Sequence, residues 1–188
     1  MSQNFYRSLR AAEETNEFRL VVAYSSVVDY RLLYCGHGCA QSAEGRSWCE
    51  KLWRSQGEEP PPARAPTEFC GNLDGMAHCR PWDAGYRIYE DGSPLLHLST
   101  LHTPVLLHHS EDDTAVAFQD VLAFDRGLER FQVPHHLFVY SASDYGPVGH
   151  GFLYTTSPSY NEPAAEVAWD RTMRALDFYL KDKGFWPW

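Results

Sequence analysis

Between Thr103 and Lys183 the chain alternates two short apolar strands with two long helical stretches, and that order leaves few folds open. Thr103-Pro-Val-Leu-Leu-His-His109 is an apolar run with Pro at its start, where a missing N–H is tolerated. Ala117 to Phe131 follows, with Val121, Phe124, Leu128 and Phe131 recurring on one helical face, and Val133-Pro134 closes it. His136 to Tyr140 (HLFVY) is the next strand. Asn161 caps a helix from Glu162 to Lys183 that Gly184 stops; its expected inner face is Ala165, Ala168, Trp169, Thr172, Leu176 and Tyr179. Strand–helix–strand–helix is the grammar of a parallel sheet with helices on both faces. The expected class is α/β, a three-layer α/β/α arrangement around a mostly parallel sheet.

The first half is less regular. Residues 6–17 suit a short helix with Leu9 and Ala12 facing inward, and Phe18 to Tyr30 (FRLVVAYSSVVDY) reads as a buried strand. From residue 31 to about 92 there is little periodicity. Glu58 to Pro66 (EEPPPARAP) excludes helix and central strand, Ser47 to Arg54 suits two helical turns, and Arg31 to Cys35 (RLLYC) is strand-like. The expected organisation is a single domain over 1–188, with an irregular lid or insertion at about 31–92. A length of 188 residues suffices to bury a core, and 44% hydrophobic with 22% charged residues excludes global disorder. A net charge of −9 argues against nucleic acid as a partner. The absence of a long apolar run argues against a membrane-spanning helix, and the polar N-terminus lacks an apolar signal core. Cytoplasmic residence follows as an expectation, with the five cysteines read as reduced thiols.

Two polar clusters sit where an open α/β sheet does its chemistry, just past the carboxyl ends of strands. Ser110-Glu-Asp-Asp-Thr-Ala-Val116 follows the first strand, and Gly149-His150-Gly151-Phe152 follows the second. A carboxylate after one strand and a histidine after the next is the acid–base half of a nucleophilic triad. The order acid, then histidine, matches that of α/β-hydrolases.

These pieces, TPVLLHHSEDDTAV, GHGF and SPSYNEPAAEVAWDRTMRALDFYL, resemble the C-terminal half of the dienelactone hydrolase family of the α/β-hydrolase superfamily. The resemblance implies Asp113 as the acid, with Asp112 as its rival, and His150 as the base. The family usually has Gly three residues before the acid, where Ser110 stands here. It implies an ester or lactone of a small carbonyl compound as substrate and no cofactor, with Tyr160 and Phe152 lining the pocket. FRLVVAYSSVVDYR with YEDGSPLLHL also resembles prolyl-oligopeptidase-type serine peptidases downstream of their nucleophile. By that likeness the first strands of the fold, and the catalytic serine, are missing on the N-terminal side.

No Gly-x-Ser-x-Gly or Gly-x-Cys-x-Gly elbow occurs. The nearest approach is Tyr-Cys-Gly-His-Gly-Cys-Ala40, which makes Cys39 the candidate nucleophile, with Cys35 and Ser47 as alternatives. Cys35, His37, Cys39, Cys70, His78 and Cys79 match no strong zinc spacing, so no metal is expected. The competing expectation is a non-catalytic relative with an exposed sheet edge, free to pair as a homodimer.

Overall fold

In the computed structural model, residues 5–57, 59–60, 65–67, 70, 80–82 and 87–181 are described. His78 and Cys79 of the cysteine–histidine group, and residues 58 and 61–64 of the proline-rich stretch, lie outside them. Three strands, β1 (Val21–Tyr24), β2 (Val105–Ser110) and β3 (His135–Tyr140), form a sheet in the order β1-β2-β3. Both pairings are parallel; Val21 lies opposite Val105, and Ser110 opposite Tyr140. All six residues of β2 are buried, which is why the central strand reads as an unbroken run rather than an alternation.

Helices cover both faces. On one side, α1 (Phe5–Glu14) brings Leu9 and Ala12 against Val21, Ala23, Val105 and Leu107. The amphipathic α5 (Phe118–Arg130) adds Val121, Phe124 and Leu128 to the same cluster. On the other side, beyond the short α6 (Ala142–Tyr145), α7 (Glu162–Lys181) lays Ala164, Ala168 and Ala175 against Leu106, Phe138 and Tyr140. The three-layer α/β/α arrangement expected from the sequence is the one observed. Among the described residues, no helix is long and apolar enough to cross a membrane.

Of the inner face expected for α7, only Ala168 and Thr172 are fully buried. Trp169 is 62% exposed, and the buried seam is Ala164, Ala168, Thr172 and Ala175. Small side chains let the helix settle closely on the aromatic rings of β3, so size rather than hydropathy chose the face. On β2, successive side chains point to opposite layers. His108 faces α7, with Nδ1 2.8 Å from the Tyr140 hydroxyl and Nε2 3.2 Å from Thr172 Oγ1. Burial pushes its pKa down to about 3, so it stays a neutral core residue.

The stretch expected to be irregular carries three helices among its described residues: α2 (Tyr30–Gly36), α3 (Ala43–Ser55) and α4 (Arg87–Asp91). Arg31 to Cys35 is helix, not strand. Asp29 caps α2 by accepting from Arg31 N at 2.8 Å, and its carboxylate also holds the Arg31 guanidinium. Leu32, Leu33 and Tyr34 are buried in three separate clusters, so the helix has no polar face to betray its period. Ser42 caps α3 through Gly45 N at 3.0 Å. Four of the five thiols are not reduced: Cys35 is bonded to Cys49 and Cys39 to Cys70.

Phe124→Ala removes a fully buried ring and costs about 3–5 kcal/mol, read from denaturant unfolding. Peptide mapping without reductant yields the linked pairs 35–49 and 39–70; alkylation of Cys39 in the unreduced protein would contradict the pairing. Glu13 is buried on α1, and desolvation pushes its carboxyl up to about 7, only partly offset by Arg10. A raised carboxyl favours the folded state below the unfolded pKa, near 4.5, and that advantage is lost as pH rises through 7. Glu13→Gln therefore gains on the wild type as pH climbs from 5 to 8, measured by urea titration at each pH.

Candidate active site

Because β2 and β3 are parallel, the segments after both strands emerge at the same edge of the sheet. The register sets Ser110 beside Tyr140, so the acid turn and the histidine loop start level with one another. Ser110 then joins them: its hydroxyl donates to the Val148 carbonyl and accepts from Asp112 N at 3.1 Å. A glycine at this position could not make that tie.

Asp113 folds back on its own turn. Its Oδ1 accepts from Ala115 N at 2.8 Å and from Val116 N at 2.9 Å. Its Oδ2 accepts from His150 Nδ1 at 2.9 Å. The carboxylate is shielded from solvent, whereas the His150 side chain is 28% exposed. Burial alone would raise the carboxyl; the His150 bond, the adjacent histidines and the Val116 N–H outweigh it and hold Asp113 below the usual range. Asp112, the rival acid, is exposed.

His109 lies beneath the turn, fully enclosed. Its Nε2 donates to the Val116 carbonyl at 3.0 Å and sits 3.8 Å from Asp113 Oδ2. Burial pushes its pKa down, so it supports the turn as a neutral donor.

The histidine loop is fixed from several sides. Val148 and Phe152 are buried, and Phe152 packs on Tyr140 with ring centroids 4.8 Å apart. Asn161 Nδ2 donates to the carbonyls of Tyr145 and Pro147, while its Oδ1 caps α7 through Ala164 N at 3.1 Å. Gly151 has φ +76°, a turn that favours glycine, and a Cβ on Gly149 would stand 2.9 Å from Ser159 Oγ. Since Nδ1–H is committed to Asp113, Nε2 carries the lone pair, and no hydrogen bond reaches it from a described residue.

The other expected residues are placed elsewhere. Cys39 is bonded to Cys70 and has no thiolate to offer. The Gly-His-Gly-Cys sequence read as an elbow is the end of α2. Gly38 takes φ +71°, its N–H donates to Cys35 O at 3.0 Å, and Cys39 N donates to Tyr34 O at 3.2 Å. That is the two-bond glycine stop of a helix, which shares its small-residue spacing with a nucleophile turn. Cys35 is likewise bonded, to Cys49. Ser47 is exposed on α3, in a cleft of about 660 Å³ with Trp48, Lys51 and Trp82, and that cleft is lined by neither Asp113 nor His150. Phe152 is a core residue rather than a pocket wall, because its ring fills the space beneath the loop. Tyr160 is 37% exposed just before α7.

A depressed carboxyl stabilises the fold above its unfolded pKa, near 3.8, and that contribution is lost as pH falls through the folded value. Asp113→Asn therefore costs about 2 kcal/mol at pH 7, and the gap narrows below about pH 4, read from urea midpoints.

The sequence profile of the dienelactone hydrolase family matches residues 84–180, just over half of the chain. A protein of Synechocystis sp. named carboxymethylenebutenolidase is 26% identical over 125 residues, which are 66% of this chain and 45% of that protein. A puromycin-hydrolyzing peptidase of Mycobacterium tuberculosis superposes on 98% of this chain with TM-score 0.60 and 19% identity; 21% of that chain is covered. The acylaminoacyl peptidase of Pyrococcus horikoshii gives TM-score 0.57 and 18% identity over 98% of this chain and 24% of its own. The chain thus spans under half the length of the curated relative and under a quarter of each solved one. Its fold is that of the α/β-hydrolases, and by the profile match it belongs to the dienelactone hydrolase family.

Proposed function

We propose that this chain carries the acid–base part of an α/β-type hydrolase acting on carboxylic esters or lactones of small carbonyl compounds. The observation that supports the reading best is the 2.9 Å bond between a shielded Asp113 and a solvent-accessible His150. Nε2 of His150 takes the proton of an attacking hydroxyl as its oxygen bonds the substrate carbonyl carbon, and the carbonyl electron pair moves to oxygen. Asp113 stays ionised and holds the imidazolium. When the tetrahedral intermediate collapses, the C–O bond to the leaving alkoxide breaks and His150 returns the proton to it.

With Cys39 and Cys35 in disulfides, the attacking group is water or a hydroxyl outside the described residues. Water gives the acid directly; a protein hydroxyl gives an acyl ester that a second, water-borne cycle releases. The same relay serves an amide, so peptide cleavage is the alternative substrate class.

Incubation with an activated aryl acetate, followed by peptide mass spectrometry, tests the reading. The expected result is turnover that falls ~10²–10⁴-fold in Asp113→Asn and in His150→Ala, with no acyl group on Cys39. Turnover of an aminoacyl anilide but not of the ester would move the substrate class to peptides. No turnover of either by the wild-type chain would make it a non-catalytic relative.

A further inference from the structure

We infer that His37 is a positioning residue for the Asp113–His150 pair, acting through the peptide group that joins Ala115 to Val116. The inference rests on the role proposed above for that pair. His37 caps the C-terminus of α2, 76 positions before Asp113 in sequence, yet its Nε2 lies 2.8 Å from the Ala115 carbonyl. A carbonyl only accepts, so Nε2 carries the proton and donates. The other end of that same peptide group is Val116 N–H, which donates to Asp113 Oδ1 at 2.9 Å. Donation to a peptide carbonyl polarises the group and strengthens its N–H as a donor.

The tautomer is set from the far side of the ring. Thr67 Oγ1 lies 2.9 Å from His37 Nδ1, and Thr67 N donates to the His37 carbonyl at 3.3 Å. A hydroxyl proton given to Nδ1 leaves Nε2 as the protonated nitrogen. Thr67 is in turn held by the Cys39–Cys70 bond, because Cys70 N donates to the Thr67 carbonyl at 3.1 Å. Contacts thus run from the disulfide through Thr67, His37 and the 115–116 peptide to one oxygen of Asp113, whose other oxygen meets His150. The packing agrees: the space left between the end of α2 and the acid turn is only about 20 Å³, walled by Leu33, Gly36, His37, Asp113 and Ala115. The Gly-His-Gly-Cys motif therefore serves the site through its histidine and not through its cysteine.

The test compares His37→Gln, whose side-chain amide reaches the carbonyl with an N–H, and His37→Met, of similar length without a donor. Amide hydrogen exchange at Val116 and the Nδ1–H resonance of His150 are read by NMR, and kcat and KM are measured on the aryl acetate. His37→Met should exchange Val116 about fivefold faster, broaden the His150 resonance and lower kcat about fivefold with KM unchanged. His37→Gln should restore most of each. Thr67→Val, which leaves the imidazole in place but withdraws the proton from Nδ1, should shift the same readouts in the same direction, and it decides the matter should His37→Met not fold. Val116 protection and a His150 resonance equal to wild type in a folded His37→Met, or in Thr67→Val, would overturn the inference. The NMR readouts need no turnover, so an inactive wild type that still shows the Met–Gln contrast would overturn the proposed activity and leave the positioning role standing.

Discussion

A carboxylate taken out of water costs several kcal/mol unless its oxygens are met by donors, and the end of the sheet is organised around meeting those of Asp113. Two peptide N–H groups of its own turn occupy one oxygen, and His150 occupies the other. The turn that supplies the N–H groups is itself held at its carbonyls, by His109 from beneath and His37 from the side. This is why so many polar residues can be enclosed near β2 without unravelling it. His108, His109, Ser110 and Asp113 are all buried, and each has a named hydrogen-bond partner. The arrangement also leaves one group of the pair, His150 Nε2, with a basic lone pair and access to solvent.

The parallel register does the coarse positioning and the loops do the fine. Pairing Ser110 with Tyr140 levels two strand ends that are 30 residues apart in sequence. From there, Ser110 reaches Val148, Asn161 binds the loop back to α7, and Phe152 anchors it on Tyr140. His150 is thus carried on a short span between two buried anchors, Val148 and Phe152, which limits the freedom it must lose on meeting Asp113.

The second half of the fold was legible because its strands and helices satisfy local and tertiary demands at once. Asn161 caps, Val121, Phe124 and Leu128 pack, and β2 is buried as its composition says. The meeting of Asp113 and His150 was legible as well, since segments that follow adjacent parallel strands emerge at the same edge of the sheet. What failed did so for physical reasons. α2 buries three successive residues, Leu32, Leu33 and Tyr34, in three directions and so shows no period. Trp169 lost the inner face of α7 to alanines that let the helix approach more closely. Gly-His-Gly-Cys fits a helix stop and a nucleophile turn equally well in one dimension, and only hydrogen bonds from Gly38 and Cys39 separate them. The reach of His37 to Ala115 had no local signal, because it depends on where α2 lies in space.

Everything at this end of the sheet turns on Asp113 and His150 forming one hydrogen-bonded pair, with Nε2 left to accept a proton. Proton NMR of the imidazole region, with histidine selectively labelled with ¹⁵N, reads that bond directly. A low-field Nδ1–H line assigned to His150, present in the wild type and lost in Asp113→Asn while it survives in Asp112→Asn, is the result expected. A His150 ring whose Nδ1 carries no proton, or whose line is indifferent to Asp113→Asn, would contradict the pairing and the chemistry built on it.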